Sequence, residues 1–165
     1  MKKKILVILL PMLLAFAGAS SFAGTETILV LKNGAGQALF SQVVSIGVRF
    51  SIVFIHSLAL SRVEEIYEIT GPDEFHLRET IYEDFGSGLP HMEQPGQRME
   101  FANGRIRLSG YNLRFRELHL RVGYISDHRL TIGGIESAHL VDLERPGGEI
   151  RICVTRSPPE SADGR

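Results

Sequence analysis

Four polar residues between positions 53 and 90 carry most of the chemistry this sequence offers. His56-Ser57, Glu65 and Glu79 stand in otherwise apolar, strand-like runs, and Phe85-Gly86-Ser87-Gly88-Leu89-Pro90 follows them. A polar group aligned with a core face needs a partner, because an unpaired charge in a low-dielectric interior is costly. Gly86 and Gly88 permit positive φ or close approach, and successive amides around Ser87 suit a carboxylate or another small anion. The run lacks the lysine and the longer glycine interval of a nucleotide-binding loop. A rigid turn built from Gly and Pro explains the same letters. His56, Glu65, Glu79, Gly86, Ser87 and Gly88 form the candidate ligand-binding set.

Strand alternation gives these residues a direction. Phe50, Ile52, Phe54 and His56 share one face, as do Val63, Glu65, Tyr67 and Ile69, and then Phe75, Leu77, Glu79 and Ile81. A hairpin about Gly71 to Asp73 places Glu65 across from Glu79, where Cβ atoms lie about 5 Å apart. Two ionised carboxylates there repel, and a cation, an arginine or a shared proton relieves the cost. Calcium suits clustered carboxylates and carbonyls. Zinc is poorly supported, since His76, His119, His128 and His139 lack close ligand spacing and read individually as surface or satisfied partly buried residues. In the plainer structural reading, His56 closes a strand on backbone groups and the carboxylates pair with Arg78 or Arg98. No catalytic residue is assigned. Adjacent His56 and Ser57 point apart in a strand, whereas a nucleophile and its base must meet within about 3 Å.

The elements that must position this set are strands. Expected strands cover Glu26 to Leu31, Ala38 to Val44, Val48 to His56, Val63 to Thr70 and Phe75 to Glu83. Further ones cover Arg98 to Phe101, Arg105 to Ser109, Glu117 to Tyr124, Arg129 to Ile132, Ala138 to Leu143 and Glu149 to Thr155. Asn33-Gly34, Gly71-Pro72-Asp73-Glu74, Asn103-Gly104 and Pro146-Gly147-Gly148 mark turns. Only Ser61 to Ile69 and Asn112 to Leu118 compete as short helices, and neither has a cap. The expected fold is all-β, an antiparallel β sandwich or a partly closed β barrel.

Residues 1–23 read as a signal peptide. Lys2, Lys3 and Lys4 precede an apolar run from Ile5 to Ala17, and Ser21-Phe22-Ala23 offers a small-x-small cleavage site. Ala19 is the second candidate site and an uncleaved anchor the alternative, although a bilayer span needs about 20 residues. No cysteine near the boundary suggests a lipoprotein. Cleavage would leave one β domain over 24–156 and a flexible tail over 157–165. The formal charge then moves from −1 to −4, because three lysines leave and no acid does. A mildly acidic exported domain argues against nucleic-acid binding. Arg105, Arg107, Arg114, Arg116 and Arg121 are interrupted by Glu100, Glu117 and Asp127, as on a solvated sheet face. Cys153 is the sole cysteine, so no internal disulfide forms.

The chain resembles a family of small exported bacterial proteins, domain of unknown function 1850. The resemblance rests on the Phe-rich strand ending in His56-Ser57, on Val63-Glu64-Glu65 with Tyr67, on Glu79, on Phe85-Gly86-Ser87-Gly88-Leu89-Pro90 and on Asn103-Gly104. It covers roughly residues 27 to 155. The family commonly carries alanine at Ser87, and Leu58-Ala59 stands where valine-glutamate usually follows His-Ser. Members are commonly encoded beside TAXI-type TRAP transporter components. The resemblance therefore implies a periplasmic accessory protein that binds the permease, the substrate receptor or a small ligand, anion or cation. The competing readings are a small periplasmic hydrolase with Ser57 as nucleophile and a structural envelope protein without a ligand. An exposed apolar rim around the Gly86 to Pro90 loop would favour docking, and a deep pocket holding Glu65 and Glu79 would favour a ligand.

Overall fold

The computed structural model describes residues 26–86 and 88–157. The expected signal peptide, Ser87 and the expected tail beyond Ser157 lie outside the described residues. Eleven strands and one helical turn follow in order: β1 (Thr27–Asn33), β2 (Ala38–Val44), β3 (Arg49–Ile55), β4 (Arg62–Gly71), β5 (Glu74–Tyr82), β6 (Arg98–Ala102), β7 (Arg105–Phe115), β8 (Glu117–Arg121), β9 (Arg129–Ile132), β10 (Ile135–His139), α1 (Leu140–Leu143) and β11 (Glu149–Arg156). They form two antiparallel sheets, one of four strands ordered β2-β1-β11-β8 and one of seven ordered β10-β9-β3-β4-β5-β7-β6. The sheets face each other as a β sandwich.

Turn chemistry accounts for the hairpins. Asn33 Oδ1 accepts the Ala35 and Gln37 amides at 3.1 and 2.9 Å, closing β1 onto β2. Asn103 and Gly104 sit at φ 53° and 71°, the left-handed pair that a two-residue hairpin loop requires. One expectation fails: the stretch Ala138 to Leu143 is not one strand, because β10 ends at His139 and a single helical turn follows. Ser61 to Ile69 and Asn112 to Leu118, the uncapped helical alternatives, contain no helix, and β4 runs through the first as the expected strand.

Two apolar clusters lie on the inner face of the large sheet. The first is shared with the small sheet: Leu29, Leu31, Ile150, Ile152 and Val154 meet Phe50, Ile52, Tyr67, Ile69, Phe75 and Leu130. The second consists of Val63, Tyr82, Ile106 and Leu108, with Phe54, Leu89, Met99 and Tyr111 packed against it. All four of its buried members belong to the large sheet, on stretches of β4, β5 and β7 that run past the part facing the small sheet. The connection from β5 to β6 covers this surplus, placing Leu89 on the cluster and giving the Pro90 carbonyl to the Tyr82 hydroxyl.

A register change divides the two halves of β5. Tyr67 pairs with Leu77 and Ile66 with Glu79, so Arg78 is an extra residue against β4. On the other side Leu77 pairs with Leu113 and Glu79 with Ser109, which leaves residues 110–112 of β7 against Arg78. Gly110 makes this irregularity feasible. Its φ is 80°, and a Cβ there would lie 2.3 Å from the Gly96 carbonyl oxygen. Gly110→Ala should therefore lower stability by about 2 kcal/mol or more, from left-handed strain plus a backbone clash. Urea unfolding measures it; an unchanged midpoint would refute the account.

Candidate functional site

The bulge decides where each carboxylate goes. Beyond Arg78 the inward residues of β5 are Thr80 and Tyr82, whereas Glu79 and Ile81 turn to the other face. Glu65 on β4 therefore stands across from Thr80, not from Glu79. The expected pair of facing carboxylates does not form. Glu79 lies on the outer face, its side chain 14 % exposed, between Arg49 at 2.9 Å and Arg107 at 2.7 Å. Its two oxygens are satisfied by two guanidinium groups, neither of them Arg78 or Arg98. Arg78 instead meets Glu68 at 3.2 Å, and Arg98 meets Glu100 at 2.9 Å.

Glu65 is half-buried on the inner face, at the seam between the two apolar clusters. Its sequence neighbours on that face are Val63, in the second cluster, and Tyr67, in the first. The Tyr67 ring is held by Phe50 at 5.1 Å, Phe75 at 5.6 Å and Phe115 at 5.8 Å. That packing aims its hydroxyl at Glu65 Oε2, to which it donates at 2.6 Å. Burial raises the Glu65 pKa, and the Tyr67 hydrogen bond opposes the rise. Burial, then the adjacent carboxylate and its hydrogen bond, push the Tyr67 phenol far upward. Tyr111 is raised by burial and by Glu65, while its hydrogen bond to Thr80 opposes the shift. The seam thus contains a carboxyl group and two phenols whose ionisation burial disfavours relative to water.

His56 follows the last residue of β3 and belongs to a turn. Its Nδ1 accepts the Ala59 amide at 3.2 Å, and its carbonyl accepts the Leu60 amide at 2.8 Å. Because Nδ1 already serves the turn, it is not free to take a proton from a hydroxyl. Among the described residues, no hydrogen bond or ion pair joins His56 to Glu65 or Glu79. What His56 does meet is Gly86. A Cβ at Gly86 would lie 2.6 Å from the Ala59 Cβ and 3.6 Å from His56 Nδ1. Glycine is therefore needed where the His56 turn rests on the β5–β6 connection. Gly88, at φ 89°, has open space around its Cβ position. Ser87 lies outside the described residues.

The structure accordingly brings His56 and Gly86 together, and directs Glu65 to the seam and Glu79 to the outer face. No group of three or more His, Cys, Asp or Glu able to hold a metal occurs among the described residues. Some placements escaped the sequence. His128 is buried and not satisfied, rather than superficial or partly buried with its partners: it lies 5.4 Å from the Phe54 ring, with Nδ1 unpartnered among the described residues. Burial lowers its pKa and the neighbouring Asp127 opposes that shift. Tyr111 and Thr80 also escaped, although Gly110 in a strand-like run is the letter that marks such a bulge.

The family model described as "Domain of unknown function (DUF1850)" matches residues 50–138. The chain belongs to this family. No curated protein and no solved structure matched it. The DUF1850 match is narrower than the resemblance over residues 27 to 155 suggested. It takes in β3 through β10 but for Arg49 and His139, and so the large sheet apart from these two end residues, and all six candidate residues. It omits β1, β2 and β11, which supply three of the four strands of the small sheet.

Two predictions test this geometry. A carboxyl group whose folded pKa is raised above its ordinary 4.5 costs stability when ionised. That cost is absent below the ordinary value, grows as pH rises through the raised one, and is then fully present. Subtracting the Glu65→Gln stability from that of the wild type should give a difference that falls with rising pH above about 4.5. Chemical denaturation from pH 4 to 8 measures it, and a flat difference would refute the assignment. Separately, Gly86→Ala should destabilise the chain by about 1–3 kcal/mol through overpacking. Adding Ala59→Gly should recover part of that loss in a double-mutant cycle; strictly additive effects would refute the contact.

Proposed function

We propose that this DUF1850 chain is an extracytoplasmic accessory protein of a TAXI-type TRAP uptake system. In this reading it docks the permease or the substrate receptor through the face made by the His56 turn and the β5–β6 connection. The observation that carries the docking is an apolar rim at this end of the molecule. Leu58 is 73 % exposed, Leu60 67 % and Phe101 68 %, with Phe85 and Met92 also exposed. Scattered surface hydrophobics are ordinary, but several on one turn, one connection and the adjoining strand are characteristic of interaction surfaces.

Two further features support the reading. The turn and the connection are locked together at Gly86 and Ala59, so the rim has a defined shape before any partner arrives. The resemblance to proteins encoded beside TRAP components supports the transport context, and the basic-then-apolar segment before Ala23 supports export. Ligand binding between Glu65 and Glu79 is less favoured, because the two carboxylates occupy opposite faces of one sheet.

The test uses the chain with the purified receptor and, separately, with the permease in detergent, read by light-scattering or surface-based binding. Saturable binding to one component is expected. Leu58→Glu and Phe101→Glu should each weaken it at least tenfold, while Val43→Glu, on exposed β2, should not. Failure of both components to bind at micromolar concentrations would overturn the proposal.

A further inference from the structure

The strand β6 ends the large sheet, since among the described residues only β7 pairs with it. Its hairpin sets which backbone groups point outward. Ala102 and Arg105 flank the two-residue Asn103-Gly104 loop and form the hydrogen-bonded closing pair. Alternation then makes Phe101↔Ile106 and Met99↔Leu108 non-hydrogen-bonded pairs, so Met99 and Phe101 turn their N–H and C=O groups away from β7. The Met99 amide confirms this phase, because it donates to Glu93 Oε1 outside the sheet. Glu93 caps that donor. No described residue caps Phe101.

Next to this open position lies a cavity of about 410 Å³, lined among others by Phe85, Phe101, Ile106, Glu83, Asp84 and Arg105. The Phe85 and Phe101 rings are 6.0 Å apart. Glu83 and Asp84 make no ion pair among the described residues, and neither does Arg105. Two carboxylates against one guanidinium leave the cavity with a net negative charge. Two aromatic rings beside two acidic residues in one cavity suit one long basic side chain, whose stem packs on the rings while its head meets the acids.

We infer that the β6 edge accepts an extended segment of a partner protein as an eighth strand of the large sheet, with one lysine or arginine seated between the Phe85–Phe101 pair and the Glu83–Asp84 carboxylates. Main-chain bonds to Phe101 supply register and the basic side chain supplies selectivity, as in other strand additions to an open edge. The inference rests on the reading of this end of the molecule as a docking face and adds the mode and chemistry of the partner.

The probe is a capped seven-residue peptide alternating threonine and valine, with lysine at its centre, titrated into isotope-labelled protein. The Phe101 amide should shift saturably and exchange more slowly with solvent. A central glutamate should weaken binding at least tenfold, and Glu83→Gln with Asp84→Asn should abolish that preference. N-methylation of alternate peptide residues, tried in both phases, should remove binding in one phase only. Shifts centred away from β6, equal binding of the lysine and glutamate peptides, or indifference to N-methylation would overturn the inference. Transporter components that bind when the peptide does not would leave docking intact and remove strand addition. Peptide binding without component binding would support strand addition and remove the transporter assignment.

Discussion

Arg78 has no partner residue on β4 or in the regular ladder of β7, and that one-residue excess in β5 governs the polarity of everything beyond it. A strand has a side-chain period of two, so inserting one residue exchanges its faces. Before the bulge Phe75 and Leu77 point inward; after it Thr80 and Tyr82 do. Without it, Glu79 would meet Glu65 in the interior, two like charges with little solvent to separate them. With it, Glu79 lies outside between Arg49 and Arg107, and a neutral hydroxyl faces Glu65. The cost is borne on β7, where residues 110–112 stand against Arg78 and Gly110 takes a left-handed conformation.

The unequal sheets explain why a carboxylate is tolerated where Glu65 stands. The small sheet covers only one end of β4 and β5, so along these strands the inner face of the large sheet passes from a doubly covered region to one covered by a connection. Tyr67 belongs to the first and Val63 to the second. A position between them is dry enough to raise the Glu65 pKa yet half-open, and the buried Tyr67 delivers a fixed donor that opposes the rise. The same mismatch makes the β5–β6 connection structural. It caps the second cluster with Leu89, is tied by Tyr82 to Pro90, and meets the His56 turn at Gly86.

Local chemistry was legible in the sequence and register was not. Asn33-Gly34 and Asn103-Gly104 announced their hairpins, the first through the Asn33 side chain that accepts the Ala35 and Gln37 amides, the second through left-handed conformations that select Asn and Gly. Ala38 to Val44 and Arg129 to Ile132 emerged with the bounds that their β-branched and apolar residues implied. The inward placement of Glu65 also followed from alternation. Glu79 did not, because perfect alternation from Phe75 to Ile81 carries no trace of an inserted residue; the compensating signal lies far along the chain at Gly110. His128 was illegible for a related reason. Its burial depends on packing beside Phe54, which no neighbouring letter encodes. The single helical turn at Leu140 to Leu143 is too short to leave a helical period.

The polar residues that looked like one site thus serve separate tasks. Glu79 joins a charged outer face, where Arg49 also reaches Glu68 and Arg78 completes the pairing. Exposed pairs of this kind contribute little individually, about 0–1 kcal/mol each, but they keep a broad sheet face soluble. Glu65 terminates a core. His56 shapes a turn through its Nδ1, and in doing so presents Leu58 and Leu60 to solvent beside the connection that carries Phe85. A ligand site needs its polar groups to converge, whereas a docking face needs apolar groups held rigidly outward. At this end of the molecule, partly buried hydrogen bonds and a glycine contact support the backbone, while the large apolar side chains remain uncovered, the arrangement on which the docking proposal rests.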